Sequence, residues 1–111
     1  MGKCNFKVSI DPIQVLSMVR DNENADLVHE ELNDLGDGQF IGTLVFEKYF
    51  MRVSNRVALV VIADNLKGVT DVRAIATGSS QGWLFNFDWG AADDFANSVR
   101  TILHKYIIGE Y

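Results

Sequence analysis

Residues 56–64, RVALVVIAD, carry apolar side chains at odd and even positions alike. Successive side chains on a strand point to opposite faces, so a strand of this composition needs cover on both sides. The segment before it, Ile41 to Val53, is nearly as two-faced. Val45, Tyr49 and Met51 point one way and Leu44, Phe46 and Phe50 the other. A 111-residue chain with two helices normally leaves one face of its sheet in water. The second face is therefore expected to be covered by a partner subunit, by the sheet curling round a long helix, or by a bound apolar ligand.

The rest of the chain supplies those helices and further strands. FKVSI alternates Phe6, Val8 and Ile10 with Lys7 and Ser9, the period of a strand with one wet face. Asp11, Pro12 and Gln14 then have the spacing of a capping box with proline at the first helical position. The short helix that follows buries Val15, Leu16, Met18 and Val19. ADLVHEELNDLGDG fits a helix through Ala25, Val28, Leu32 and Leu35, and equally a hairpin arm. The strand reading is preferred for Leu27 to Asp34, because Gly36, Asp37 and Gly38 suit a tight turn. Strands are expected over Gln39–Val53, with Gly42 as a candidate bulge, over Arg56–Asp64, and over Val69–Thr77.

Ala92, Phe95, Val99, Ile102 and Tyr106 repeat at three and four residues, which predicts a helix over Trp89–Ile107 capped by Asp88. Val72, Ala74 and Ala76 face Gly90, Ala91 and Ala92 as a low-relief contact. The expected class is α+β in a single domain, 1–111: strand, helix, four antiparallel strands, helix, with a curved sheet on a long C-terminal helix.

Composition narrows the function classes. Net charge is −5, and Asp21 to Asp37 holds seven acids with no Lys or Arg, which repels a phosphate backbone. Nucleic acid is not expected as a partner. The longest apolar run, Val57 to Ala63, is far too short for a membrane span, and MGKCNFKVSID lacks the apolar core of a secretion signal. With Cys4 as the lone cysteine, a reducing cytoplasm is the expected location.

No motif commits the chain to chemistry. GSSQG lacks a lysine and is separated by WLFNFD from the helix it would need as a phosphate cradle. The acidic run lacks the calcium-loop register. A zinc site would have to join His29, Glu31, His104 and Cys4. No nucleophile elbow surrounds Ser79 or Ser80. An enzyme would have to draw on Glu47, Asp88 or His104, or on Glu30 facing Glu47. No catalytic residue, metal or cofactor is assigned.

The residues that stand out are aromatic. Trp83, Phe85, Phe87 and Trp89 alternate, so in extended form they make one wall, too large to leave in water. They either close the end of the core, the favoured reading, or line a pocket mouth with Gln81, Asn86 and Asp88 as polar handles. The leading expectation is a non-enzymatic interaction module that forms a homodimer. A carrier or sensor of a small apolar ligand between sheet and C-terminal helix is the alternative, and an enzyme the third.

GTLVFEKYFMR, TGSSQG and FNFDWGAADDFANSV together resemble a family of short bacterial proteins known only as a domain of unknown function. The resemblance covers nearly the whole chain. Through it Glu47, Lys48, Tyr49, Arg52, Gly78, Gly82, Phe87, Asp88, Trp89 and Gly90 would be shared residues, and no activity is implied. At fold level the element order is similar to the TATA-binding-protein-like arrangement and to a reduced helix-grip fold, whose members often hold apolar ligands between helix and sheet.

Overall fold

The computed structural model describes residues 2–51, 54–78 and 89–110, with Trp89 described as backbone only. Six strands form one sheet in the order β2-β3-β4-β5-β1-β6. The elements are β1 (Gly2–Val8), α1 (Pro12–Asn22), β2 (Asp26–Gly36), β3 (Gln39–Phe50), β4 (Asn55–Asp64), β5 (Thr70–Gly78), α2 (Trp89–Ile102), a 3-10 turn over His104–Tyr106, and β6 (Ile107–Glu110). Every neighbouring pair is antiparallel. The class is therefore α+β, with a meander from β2 to β5 that returns to β1.

β1 begins four residues before the expected Phe6, because pairing continues to Gly2 opposite Ala76. Gly2 is also where α2 comes nearest: a side chain there would run into the backbone carbonyl of Ala92. Strand and helix can touch only at a residue with no Cβ.

α1 starts as its sequence spells out. Asp11 Oδ1 accepts from the Gln14 amide at 2.8 Å, and Gln14 Oε1 accepts from the Asp11 amide at 3.1 Å. Pro12 occupies the first turn, where its missing N–H leaves no orphan. Val15, Leu16 and Val19 are buried, and Met18 packs at the margin of the core.

Residues 26–36 are strand, so tertiary pairing decides between the two readings of that segment. Asp37 and Gly38, at φ 55° and 77°, form the two-residue loop between Gly36 and Gln39. Two positive φ values match the right-handed twist of a hairpin. Asn65 braces the loop from the next turn, donating from Nδ2 to the Gly38 carbonyl and accepting from the Phe40 amide.

Gly42 is not a bulge. Its pairing with Leu32 and Ala63 is regular, and the register shifts of β2 fall at Leu27/His29 and Asp34/Gly36 instead. Gly42 lies beneath α1, where a methyl group would overlap the Leu16 side chain. Filling that space costs about 1–3 kcal/mol in a packed core.

α2 ends at Ile102, five residues before the expected Ile107. The apolar spacing continues through the last residues because Ile102, Tyr106 and Ile107 still pack against the core. The backbone exchanges its final helical turns for ladder bonds: Ile107 pairs with Val8, and the Ser9 amide donates to the Tyr106 carbonyl. The result is β6, an edge strand the helical periodicity conceals.

Both helices cover the same face of the sheet. Leu44, Phe46, Val57, Leu59, Val61, Val72, Ala74 and Ala76 form one buried cluster with Val15, Val19, Ala92, Phe95, Ala96 and Val99. α1 lies over β3 and β4, and α2 over β1 and β5. The expected small-residue contact is present in part: Val72, Ala74, Ala76, Ala91 and Ala92 have no exposed surface, whereas Gly90 is exposed and Ala96, one turn further on, extends the buried helix side instead.

Candidate functional site

The other face of the sheet carries no described helix. Register lays its side chains in cross-strand rows. One row runs His29, Val45, Val60, Ile75, Lys3, from β2 to β1. On one side of it lie Asp26, Glu47, Ala58 and Thr77; on the other lie Glu31, Thr43, Ile62, Arg73 and Asn5. A last row holds Asn33, Ile41, Asp64, Asp71 and Lys7.

The centre of this face is apolar and half-buried: Val45, Ala58, Val60, Ile62 and Ile75. Its margins are ion-paired. Arg56 donates from Nε to Glu47 at 3.1 Å and from Nη2 to Asp26 at 3.2 Å. At the opposite end Arg73 donates to Asp64 Oδ2 at 2.9 Å, while Asp64 Oδ1 accepts from the Leu66 amide. Along β2, His29 Nε2 lies 2.8 Å from Glu31 Oε1, and Asn33 donates to the other carboxylate oxygen. The His29 contact and then the Asn33 bond hold the Glu31 carboxyl below its usual range.

Charge is divided across this face. β2 and β3 present Asp26, Glu31 and Glu47 with no Lys or Arg among the outer positions of those two strands. β5 and β1 present Arg73, Lys3 and Lys7 against the single acid Asp71.

Asp64 and Asp71 are nearly buried and face each other in register. The sequence reading passed over both. The available signal was an acid at the end of one apolar strand and at the start of the next, where a solvated charge has no reason to sit.

A second, polar feature lies on the helix side. Asn22, Glu23, Asn24, Lys48, Asp94, Asn97, Ser98, Thr101 and Ile102 line a groove of about 490 Å³ between the end of α1 and α2. The Ser98 hydroxyl lies 2.9 Å from Glu23 Oε2 and 2.6 Å from the Phe95 carbonyl, two acceptors for one proton. Burial pushes the Glu23 carboxyl above its usual range, against the lowering effects of Ser98 and Lys48. Neither histidine is among the lining residues. The pair ties the C-cap of α1 to α2.

Of the residues named for an enzyme, the described ones, Glu30, Glu47 and His104, are not brought together. Glu47 is on the outer face with Arg56, whereas Glu30, opposite Leu44, is on the helix face and bonded to Arg20. They therefore do not face each other across the hairpin. His104 begins the 3-10 turn and borders an adjoining groove with Met18, Lys105 and Tyr106. Cys4 lies beside Arg100 and Glu110, and burial raises its thiol above the usual range. Among the described residues no three His, Cys, Asp or Glu side chains gather as a metal site requires. No described helix is long and apolar enough to cross a membrane.

Gln81, Trp83, Phe85, Asn86, Phe87 and Asp88, with Ser79 and Ser80, lie outside the described residues. So does the side chain of Trp89, whose backbone opens α2.

Comparison with curated proteins and with solved structures gave no match. The family described as "Family of unknown function (DUF6054)" matches over residues 1–107, nearly the full length, and the chain belongs to that family.

Proposed function

We propose that this protein is a non-enzymatic interaction module that self-associates through the face of its sheet that carries no described helix. One observation carries the reading: Val45, Val60, Ile62 and Ile75 lie together on a face with no described helix, framed by the ion pairs of Arg56 and Arg73. An apolar centre inside a polar rim is the anatomy of a contact surface. Strand spacings give the five strands from β2 to β1 a face of about 24 by 30 Å, on the order of 700 Å². That is close to the roughly 800 Å² each partner buries in a specific complex.

The alternative, an apolar ligand held between sheet and C-terminal helix, is less well supported. We read the α2 layer as a reduced helix-grip arrangement in which that gap has closed: Ala74, Ala76, Ala92 and Ala96 are fully buried, and Gly2 has no room for a side chain. Catalysis is least favoured, since Glu47 and His104 line different surfaces.

Size-exclusion chromatography with light scattering tests the proposal. Wild-type protein at tens of micromolar is expected at twice the chain mass. Val60→Asp, which adds a charge to the centre without touching the helix-side core, should weaken association roughly 100-fold. Ile75→Lys is the companion variant if the first misfolds, with circular dichroism as the check on folding. A monomeric wild type, or a Val60→Asp protein that still dimerises, overturns the proposal.

A further inference from the structure

We infer that the free edge of β2 docks a basic, extended segment of another protein, which adds to the sheet as a further strand along His29–Asp34. Binding at this edge does not require the outer face to be occupied.

β2 ends the sheet on one side, so the backbone N–H and C=O groups along its outer side have no strand to pair with among the described residues. An edge of this kind is a ready template for another strand. Every position of β2 is exposed, and neither described helix lies over it. Leu32, near its centre, keeps 44% of its surface in water. The two register shifts fall at Leu27/His29 and Asp34/Gly36, which leaves His29 to Asp34 as six regular residues opposite Val45 to Phe40. A ladder on the free side can follow that run and ends where the irregularities bend the strand.

Charge decides what the occupant is. β2 and its turn carry Asp26, Glu30, Glu31, Asp34 and Asp37 without a Lys or Arg. Arg20 and Arg56 from other elements answer Glu30 and Asp26. Glu31 is bonded to His29 and Asn33, and Asp34 to the Gly36 amide, so among the described residues neither meets a Lys or Arg. A second copy of β2 would bring the same acids and no compensating cation. Lys or Arg on an incoming strand would stand beside Glu31 and Asp34. The features that blunt this edge against its own kind therefore leave it open to a strand of opposite charge.

Register fixes the side-chain pattern as well. Glu30, Leu32 and Asp34, opposite Leu44, Gly42 and Phe40, are on the helix face, and His29, Glu31 and Asn33 are on the outer face. A strand antiparallel to His29–Asp34 therefore calls for an apolar residue beside Leu32, Lys or Arg beside Glu31 and Asp34, and polar residues elsewhere.

The probe is the end-blocked peptide Lys-Thr-Val-Lys-Thr-Thr, written from the residue beside Asp34 to the one beside His29. It is titrated to about 1 mM into wild-type protein, with amide shifts and hydrogen exchange followed by NMR. The amides of His29–Asp34 should shift saturably, and those pointing away from β3 should exchange about ten-fold more slowly near saturation. Methylating the peptide's backbone amides on the side that faces β2 should abolish the response, whereas methylating the other alternate set should change affinity by less than about two-fold. Glu31→Lys should bind about five-fold more weakly with an unchanged circular dichroism spectrum, and Asp34→Lys is the companion variant if the first misfolds. No saturable shift along this run, a response indifferent to which amides are methylated, or equal binding of a peptide with Glu in place of Lys overturns the inference. So does slowed exchange along the run in concentrated protein without peptide, which would make a second copy the occupant. The outer face is judged separately, by the mass of Val60→Asp.

Discussion

Glu23 caps α1 through its backbone N–H, which donates to the Val19 carbonyl, while its carboxylate is partly taken out of water, and the Ser98 hydroxyl and Lys48 offset only part of the cost. Desolvation disfavours the charged form, so the folded protein holds this proton to higher pH than the unfolded chain does. The unfolded chain binds fewer protons in the window between the two pKa values, and stability contributed here falls as pH rises through it. Above that window the penalty is fully present; below it, absent. Glu23→Gln removes the titration while its amide oxygen can still accept from Ser98. Urea midpoints should show the variant gaining on wild type between pH 4 and pH 7. A variant that loses ground over that range would mean the ionised carboxylate stabilises the helix pair. Glu31 has the opposite sign: its folded pKa is depressed, so its contribution is present above the ordinary carboxylate range and fades on acidification. Its side chain is exposed, and the effect should be small.

At the scale of elements, α2 is held more by shape than by number of contacts. Small residues bring its backbone against β1 and β5, and Phe95 supplies the bulk, its ring 5.5 Å from that of Phe50 at 57°. Phe95→Ala removes a side chain only 3% exposed and should cost about 3–5 kcal/mol in chemical denaturation. A cost near 1 kcal/mol would mean the core collapses to fill the space. Most of this layer was legible in the sequence. The capping box of α1, the low-relief face of Ala74 and Ala76 and the Asp37–Gly38 turn are local signals, and each specifies its own geometry. What escaped depended on distant partners. Gly42 reads as a bulge until Leu16 is seen above it. Ile102, Tyr106 and Ile107 keep helical spacing although the chain has become the edge strand beside Val8. Periodicity reports which side chains face the core and is silent on which backbone groups they bring along.

For the whole molecule, the two-faced character of β3 and β4 was the most informative sequence signal, and the face with no described helix is where it leads. The sequence could not supply the arrangement on that face. Asp64 and Asp71 acquire meaning only when register aligns them with each other and with Lys7, and Arg73 only when it is seen to reach Asp64, and the division into acidic and basic halves needs the strand order. If a second copy covers this face, folding and association are linked, because the unfolded chain has no such face to present. Each ten-fold rise in concentration then favours the folded dimer by about 1.4 kcal/mol, or about 0.7 per chain. For a domain of this size that moves the melting temperature by about 3 °C. Wild-type melting temperature should therefore climb by about that amount from ten to one hundred micromolar, while Val60→Asp melts at one temperature throughout. A wild-type curve that stays flat would require a monomer that tolerates Val45, Val60 and Ile75 in water, and the excess apolar surface would then need another occupant.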